Sequence, residues 1–384
     1  MKVELPIRDE CVIIIGSYIN ACSLTERLYA VGYPHPVIVF HTEGTRICLA
    51  DIAAKNALVV KRDVRDSKSL LDALDRIAVP SCKKIIMYTS EKFINTVRSA
   101  VESGRLQNVR TFTGAGIGNE VILDRSRFYE FIEKLGCLSC PKTIDSGQDP
   151  FAVFGESFIV RPKESFNGTA IHQRVRLVSG QVEFDACLRE LRAAGLTPEM
   201  WSYQELLSTR PEDTYSVCGW HDVEYRQYFV HRKCMRHPEK TGSGDVVETV
   251  TDAPTALLEG VRTVLDAMEY SGPFEIEILY DAGTDSFKVI ELNPRFWLQH
   301  ALMNRLADNF IVRRYLDMPV PLPISPESLP RKYWVNGNRA LYYMVTGKFR
   351  IFRYLRNGFC YPTLWQSFRW GFHYFKFKRE MLKR

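Results

Sequence analysis

Four polar residues in one short stretch have the types and spacing to do chemistry together. Residues 273–297, PFEIEILYDAGTDSFKVIELNPRFW, read as two strands around a turn rich in Asp, Gly, Thr and Ser. A period of two places Glu275, Glu277 and Leu279 on one face of the first strand. It places Val289, Glu291 and Asn293 on one face of the second. If the register sets Glu277 opposite Glu291, two carboxylates and an amide converge. Like charges that face each other across a sheet destabilise it. A hard cation between them removes that penalty, and Mg2+ takes oxygen ligands, one or two of them carboxylates, plus substrate phosphates. Arg295, just past Asn293, is placed to steady phosphate oxygens. On its own, the same pattern also describes an amphipathic hairpin whose glutamates face water.

Other constellations carry less. Cys137 and Cys140 form a lone C-x-x-C, followed by Pro141 and by no second pair at zinc spacing. His231 and His237 are six apart, which does not suit zinc. Ten cysteines are scattered along the chain, the pattern of reduced thiols rather than a disulfide framework. Cys11, Cys22 and Cys48 read as small apolar residues. The turn after the first strand is GSYINAC, not G-x-G-x-x-G, which disfavours a dinucleotide-binding dehydrogenase.

The elements that must position these residues follow from length and pattern. A chain of 384 residues suggests two or three domains. With 46% apolar and 25% charged residues, its composition excludes disordered and collagen-like chains. CVIIIG (11–16), PVIVF (36–40) and KKIIMYTS (83–90) read as buried strands. LTERLYAVG and KFINTVRSAVESG between and after them read as helices. That alternation predicts a parallel sheet covered on both faces. GAGIG (114–118) reads as a loop. From about 120 the texture changes to a helix, LDRSRFYEFIEKLG, and then to strands: SFIVRP, EMWSYQELL, TYSVCGW, YRQYFVHRKCM, PFEIEILY and SFKVIEL. These predict a mainly antiparallel α+β domain. Prolines 319, 321, 323, 326 and 330 mark a linker or wrapped loop.

E-x-N-P-R after an apolar strand, with an acidic residue 14 positions before its Glu, resembles the metal-binding signature of the ATP-grasp superfamily. The likeness takes in the N-terminal domain and residues 113 to about 310, in the expected order. It implies α/β plus α+β architecture: a pre-ATP-grasp parallel-sheet domain (1–112), an ATP-grasp domain (113–318), a Pro-rich linker (319–330) and a basic, aromatic C-terminal extension (331–384). It also implies roles. Arg125 would reach the nucleotide phosphates, and Arg161, in FIVRP, would hold the α- and β-phosphates. ESFNGTA resembles the phosphate loop, with Gly168 as its single glycine. WSYQELL resembles the adenine hinge formed by Gln204, Glu205, Leu206 and Leu207, with the backbone of Glu205 and Leu207 reading the purine edge. Asp213 or Glu212 would hold the ribose. HRKCMRHPEKTGSG resembles the segment of simple carboxylate–amine ligases that faces the acyl phosphate, and supplies Arg232, Lys233 and Arg236 as candidates. Glu277 would hold one Mg2+, Glu291 would bridge two, and Asn293 would complete the second, with Mn2+ as a substitute metal. Arg295 would stabilise the phosphoryl oxygens.

The implied activity is ATP-dependent joining of a carboxylate to an amine through an acyl phosphate. A phosphotransferase that stops at the phosphoryl product shares the same signature. A scaffold with a decayed nucleotide site is opposed by the complete set Glu277, Glu291 and Asn293.

Residues 331–384 hold 13 Lys/Arg and one acidic residue, Glu380, while the rest of the chain carries a net −6. The same segment holds 16 of the 46 aromatic residues. Three readings stand: an interfacial segment on anionic membrane, a nucleic-acid contact, or aromatics packed on the body of the protein. Nucleic acid is the least favoured. Membrane docking would fit a ligase of bacterial surface-polysaccharide or amino-acid conjugate synthesis, acting on small-molecule or glycan substrates. No apolar run is long enough to span a membrane, and the first ten residues lack a signal pattern. The expectation is a cytoplasmic protein, peripheral at the inner face of the membrane if the tail docks there; a homo-oligomer is compatible with the sequence.

Overall fold

The computed structural model of the chain describes residues 6–16, 18–42, 58–64, 66–112, 119–163, 175–208, 210–240 and 242–371. The GAGIG run, Cys48 and Gly168 with its loop lie outside the described residues.

The N-terminal alternation folds as a parallel sheet. Strands β1 (Glu10–Ile15), β2 (Val37–His41), β3 (Leu58–Asp63), β4 (Lys83–Tyr88) and β5 (Val109–Thr111) lie in the order β3-β2-β1-β4-β5. All four pairings are parallel. Continuous apolar strands are what such a sheet needs, because helices cover both faces. In β1, Val12 and Ile14 pack into one core, and Ile13 and Ile15 into the other. The sequence pattern finds β1, β2 and β4; β3 (LVVKRD) and β5 (VRT) are short or end in charges, and escape it.

The second region holds two sheets. The smaller contains β6 (Thr143–Asp145), β7 (Ser157–Pro162), β8 (Arg176–Ser179) and β9 (Trp201–Glu205), in the order β6-β9-β7-β8. Helix Gln181–Ala193 lays Phe184, Cys187 and Leu191 against its Phe158 and Tyr203. The larger contains β10 (Thr214–His221), β11 (Arg226–His237), β12 (Ser243–Thr249), β13 (Gly272–Asp281), β14 (Ser286–Asn293), β15 (Tyr333–Val335) and β16 (Gly358–Cys360). Its order is β14-β13-β10-β11-β12-β15-β16. β15 adds antiparallel to β12, and β16 adds parallel to β15. The Pro-rich stretch runs along this sheet: Gln227 exchanges side-chain hydrogen bonds with the backbone of Ile324, and Thr249 Oγ1 donates to Pro330 O.

One core joins the first domain to the large sheet. Val12, Ile14 and Leu24 pack in the same cluster as Trp220, Phe296, Trp297, Tyr315 and Trp334. Polar contacts pin the junction. Phe296 N–H donates to Tyr88 O (3.0 Å), and Asn20 Nδ2 donates to Thr89 O and Phe296 O. His300, fully buried, lies 3.0 Å from Asn20 O and 2.8 Å from Ser23 Oγ through Nε2, while Asn304 Nδ2 is 3.2 Å from its Nδ1. This pattern assigns the neutral Nε2–H tautomer.

Burial pulls the His300 imidazole down to about 4. Its folded pKa is below the unfolded value near 6.5, so the unfolded state takes up the proton first. The resulting stability is complete above pH 6.5 and is lost as pH falls toward 4. Urea unfolding from pH 7.5 to 4.5 is therefore expected to show a steeper acid loss in the native protein than in His300→Gln, by up to about 3 kcal/mol.

Candidate active site

The hairpin brings its carboxylates together. β13 and β14 pair antiparallel with Glu277 opposite Glu291 and Glu275 opposite Asn293. Ile276, Ile278 and Leu292 point the other way, into the core. Val289 departs from the sequence expectation. The register passes from Glu277↔Glu291 to Ile278↔Val289, so Ile290 is an extra residue, a β-bulge. The bulge shifts the phase, and Val289 enters the core with Ile278 instead of sharing the Glu291 face.

Cations from three elements meet the carboxylates. Lys233 Nζ on β11 lies 3.2 Å from both oxygens of Glu277. Arg125 donates to Glu291 Oε2 at 2.5 Å, and Arg161 lies 3.7 Å from the same oxygen. Arg125 opens helix Arg125–Leu135, whose N-cap Asp124 accepts from the Ser126 and Arg127 amides. Four residues on, Tyr129 lies on the same helix face and donates to Ile290 O at 2.7 Å. Arg161 closes β7 and donates to Gln204 Oε1 on β9 at 3.0 Å. Gln204 is buried and donates to Tyr129 Oη and Thr143 Oγ1.

β11 carries the basic segment, and the structure divides its candidates. Lys233 and Arg236 both face the carboxylates; Arg236 is buried and donates to Thr214 Oγ1 (3.3 Å) and Glu239 O (2.6 Å). Register shifts around Met235 let two residues three apart share a face. Arg232 is the correction. Strand alternation turns it to the other face, where it bonds to Glu248, which also takes Arg331. It does not join the site.

The remaining predicted residues are placed as follows. β9 ends at Glu205, and Leu206 and Leu207 lie in the connection from the small sheet to the large one. Glu205 N–H already donates to Lys142 O, while its carboxylate accepts from Lys142 N–H (2.6 Å) and Lys288 Nζ (3.0 Å). Asp213 is buried and engaged by Arg210 (2.8 and 2.9 Å) and Ser208 (2.5 Å); Glu212 is half exposed and 3.5 Å from Arg350. Arg295 donates to Asn293 Oδ1 (3.1 Å) and to Glu91 Oε1 (3.0 Å).

Glu91 is the partner that sequence reasoning missed. It follows β4, at the carboxyl end of a parallel strand, where α/β sheets place ligand-facing groups. That position was the signal. His231, whose spacing from His237 does not suit zinc, is a second such residue. It lies on the site face, 3.7 Å from Glu275, and neither ring nitrogen has a hydrogen-bond partner among the described residues. Burial lowers His231 to about 3, so it is neutral. Burial also pushes the Glu275 carboxyl up to about 7, with the Glu277 carboxylate adding to the effect. For Arg125 burial works against the charge, and the Glu291 carboxylate more than reverses it. For Arg161 burial wins, reinforced by Arg125.

The donor set is two facing carboxylates and an amide, all oxygen on the acceptor side. Among the described residues no three His, Cys, Asp or Glu side chains converge at metal-ligand spacing. Two carboxylates and an amide oxygen are the ligand types that Mg2+ takes, and the described residues form no closed zinc site. Cys137 and Cys140 are free thiols, and burial raises both. A separate cavity of about 360 Å³, lined in part by His221, Arg226 and Asp266, takes in none of these site residues.

No protein-family model matches the sequence, and no curated protein matches it in sequence. Solved structures do match in three dimensions. N5-carboxyaminoimidazole synthetase from Staphylococcus aureus superposes with a TM-score of 0.58 at 15% identity, covering 85% of this chain and 81% of that one. Biotin carboxylase from Campylobacter jejuni, in a complex with β,γ-ATP, gives 0.58 at 14%, covering 82% and 72%. L-amino acid ligase from Bacillus licheniformis gives 0.56 at 13%, covering 84% and 77%. At such identities the likeness is one of fold. The chain has the ATP-grasp fold, preceded by a parallel α/β domain, as the sequence resemblance implied.

Arg295 is a largely buried cation, with 20% of its side chain exposed, and its nearest neutralising group comes from the first domain. Glu91→Gln is expected to lower unfolding free energy by about 2 kcal/mol, since a largely buried guanidinium then loses its carboxylate. Glu91→Gln/Arg295→Met should recover at least about 1 kcal/mol of the summed single losses in urea unfolding.

Proposed function

We propose that this protein is an ATP-dependent ligase that joins a carboxylate to an amine. In this reading the substrate carboxylate oxygen attacks the γ-phosphorus of ATP, and the β–γ bridging oxygen leaves with its electron pair as ADP. The amine nitrogen then adds to the acyl carbon, the bond from that carbon to the phosphate oxygen breaks with its electron pair leaving on phosphate, and the proton lost by nitrogen passes to the departing phosphate or to water. The observation that carries the reading is Glu277 set opposite Glu291, with Lys233, Arg125 and Arg161 converging on the pair.

Glu277, Glu291 and Asn293 would hold Mg2+, whose contribution when bound is to neutralise the charge of the transferring phosphoryl group. The chain's own groups orient and neutralise. Arg125 and Arg161, desolvated and held by helix capping and by Gln204, present fixed positive charge to phosphate. Lys233 and Arg236 stand on β11, two strands from β13, where they would face the acyl oxygen. Arg295, tethered by Glu91, fixes the amide of Asn293. The connection at 205–207 would border the purine, and Asp213 or Glu212 the ribose. The substrates proposed are small-molecule or glycan carboxylates and amines.

ADP release, screened against pooled amino acids, amines and sugar acids, tests the proposal. Release that requires both Mg2+ and an amine is expected; release without any amine dependence would indicate a phosphotransferase instead. Glu277→Gln and Glu291→Gln should each lower the rate by at least about a hundredfold. Ordinary rates in both variants would remove the assignment.

A further inference from the structure

The C-terminal region has two unlike faces. Three consecutive helical segments follow β15: Gly337–Val345, Ile351–Asn357 and residues 364–371. Each lays an inward stripe on the protein. Gly337, Ala340 and Tyr343 do so in the first, Ile351 and Tyr354 in the second, and Ser367 and Trp370 in the third. The opposite side of each is aromatic and cationic. Tyr342 and Val345, then Phe349, Phe352, Arg353 and Arg356, then Trp365, Phe368 and Arg369, all face solvent.

Six of the ten exposed large apolar side chains among the described residues lie between 342 and 368, at 43% to 88% exposure. Scattered singly they would need no explanation; six within one stretch of 27 residues, four of them in stacked pairs, point to an interaction surface. Its charge is one-sided. Residues 331–371 contain eight Lys/Arg and no Asp or Glu. Arg331, Arg339, Lys348 and Arg350 find carboxylates on the body, Glu248, Asp245, Glu239 and Glu212. Among the described residues, Arg353 and Arg356 have none within ion-pair distance.

We infer that this face docks on an anionic lipid surface, an inference independent of the ligase reading. Aromatic bodies beside arginines suit the interface between acyl chains and anionic headgroups. A second copy of the chain would bring the same uncompensated cations against each other, which opposes a two-fold pairing through this face. Single-stranded nucleic acid stacks successive bases on free rings, whereas here Phe349 stacks on Phe352 (6.2 Å, 15°) and Trp365 on Phe368 (6.1 Å, 19°), which takes up one face of each ring.

The test is co-sedimentation of the full-length protein with vesicles of phosphatidylcholine alone or mixed with phosphatidylglycerol. Binding to the mixed vesicles and not to the neutral ones is expected, and it should fall as salt is raised. Arg353→Gln/Arg356→Gln should weaken it by roughly thirtyfold, from two juxtamembrane charges. Phe349→Ser/Phe352→Ser/Trp365→Ser/Phe368→Ser should reduce it to the neutral-vesicle level. All six side chains face solvent, and an unchanged urea midpoint and far-UV spectrum report that each variant is folded. Equal binding to both vesicle types, or unaltered binding in both folded variants, would overturn the inference. So would tighter retention on a single-stranded oligonucleotide than on vesicles, or dimerisation that the aromatic variant abolishes.

Discussion

Two glutamates face each other across β13 and β14, and a sheet tolerates that only if their charge is answered. The answer comes from three directions. Lys233 reaches over from β11, two strands away across β10; Arg125 comes from the start of a helix; Arg161 comes from the end of a strand in the smaller sheet. Each cation is almost fully buried, so each would be unfavourable without its carboxylate. The carboxylates therefore bind the two sheets and the helix into one arrangement. Well-packed apolar residues would stabilise the same hairpin at least as well. Charge placed there is what the proposed site would use to meet phosphate and Mg2+.

The first domain takes part in that site. Glu91 follows β4 and meets Arg295, and the backbone of Phe296 bonds to the last residue of β4. The Asn-Pro-Arg-Phe turn is thus fixed from both sides. Buried His300, bonded to the helix Ile19–Ala30, extends the same junction. A shared apolar core beneath it makes the parallel domain and the large sheet one mechanical unit around the carboxylates.

The C-terminal region shows how one segment serves two surroundings. Its short strands continue the large sheet, and Trp334, Tyr343, Tyr354 and Trp370 fill the space beside it. The intervening residues, at helical spacing, are left outward. Packing of aromatics on the body and an outward aromatic face are therefore not alternatives; helical periodicity supplies both from one sequence.

Much of this was legible without coordinates. Apolar runs gave β1, β2 and β4, and alternation gave the strands from β7 onward that carry Arg161, Lys233, Glu277 and Glu291. The E-x-N-P-R string, with its acidic partner 14 positions earlier, located the carboxylate pair. These are local properties: periodicity, turn residues and spacing along a strand. Three things were not local. The bulge at Ile290 reversed the face of Val289, because one unpaired residue shifts every side chain before it. The face of Arg232 was ambiguous until β12 supplied Glu248, because alternation says which residues share a side and not which side meets the site. Glu91 stands some two hundred residues from Arg295, and only the docking of a parallel strand end against a distant turn brings them to 3.0 Å. The sequence by itself determined which residues lie on strands and which carry charge; tertiary structure decided which charges meet, because the pairing of strands, and the bulges within it, are settled by packing across the whole sheet.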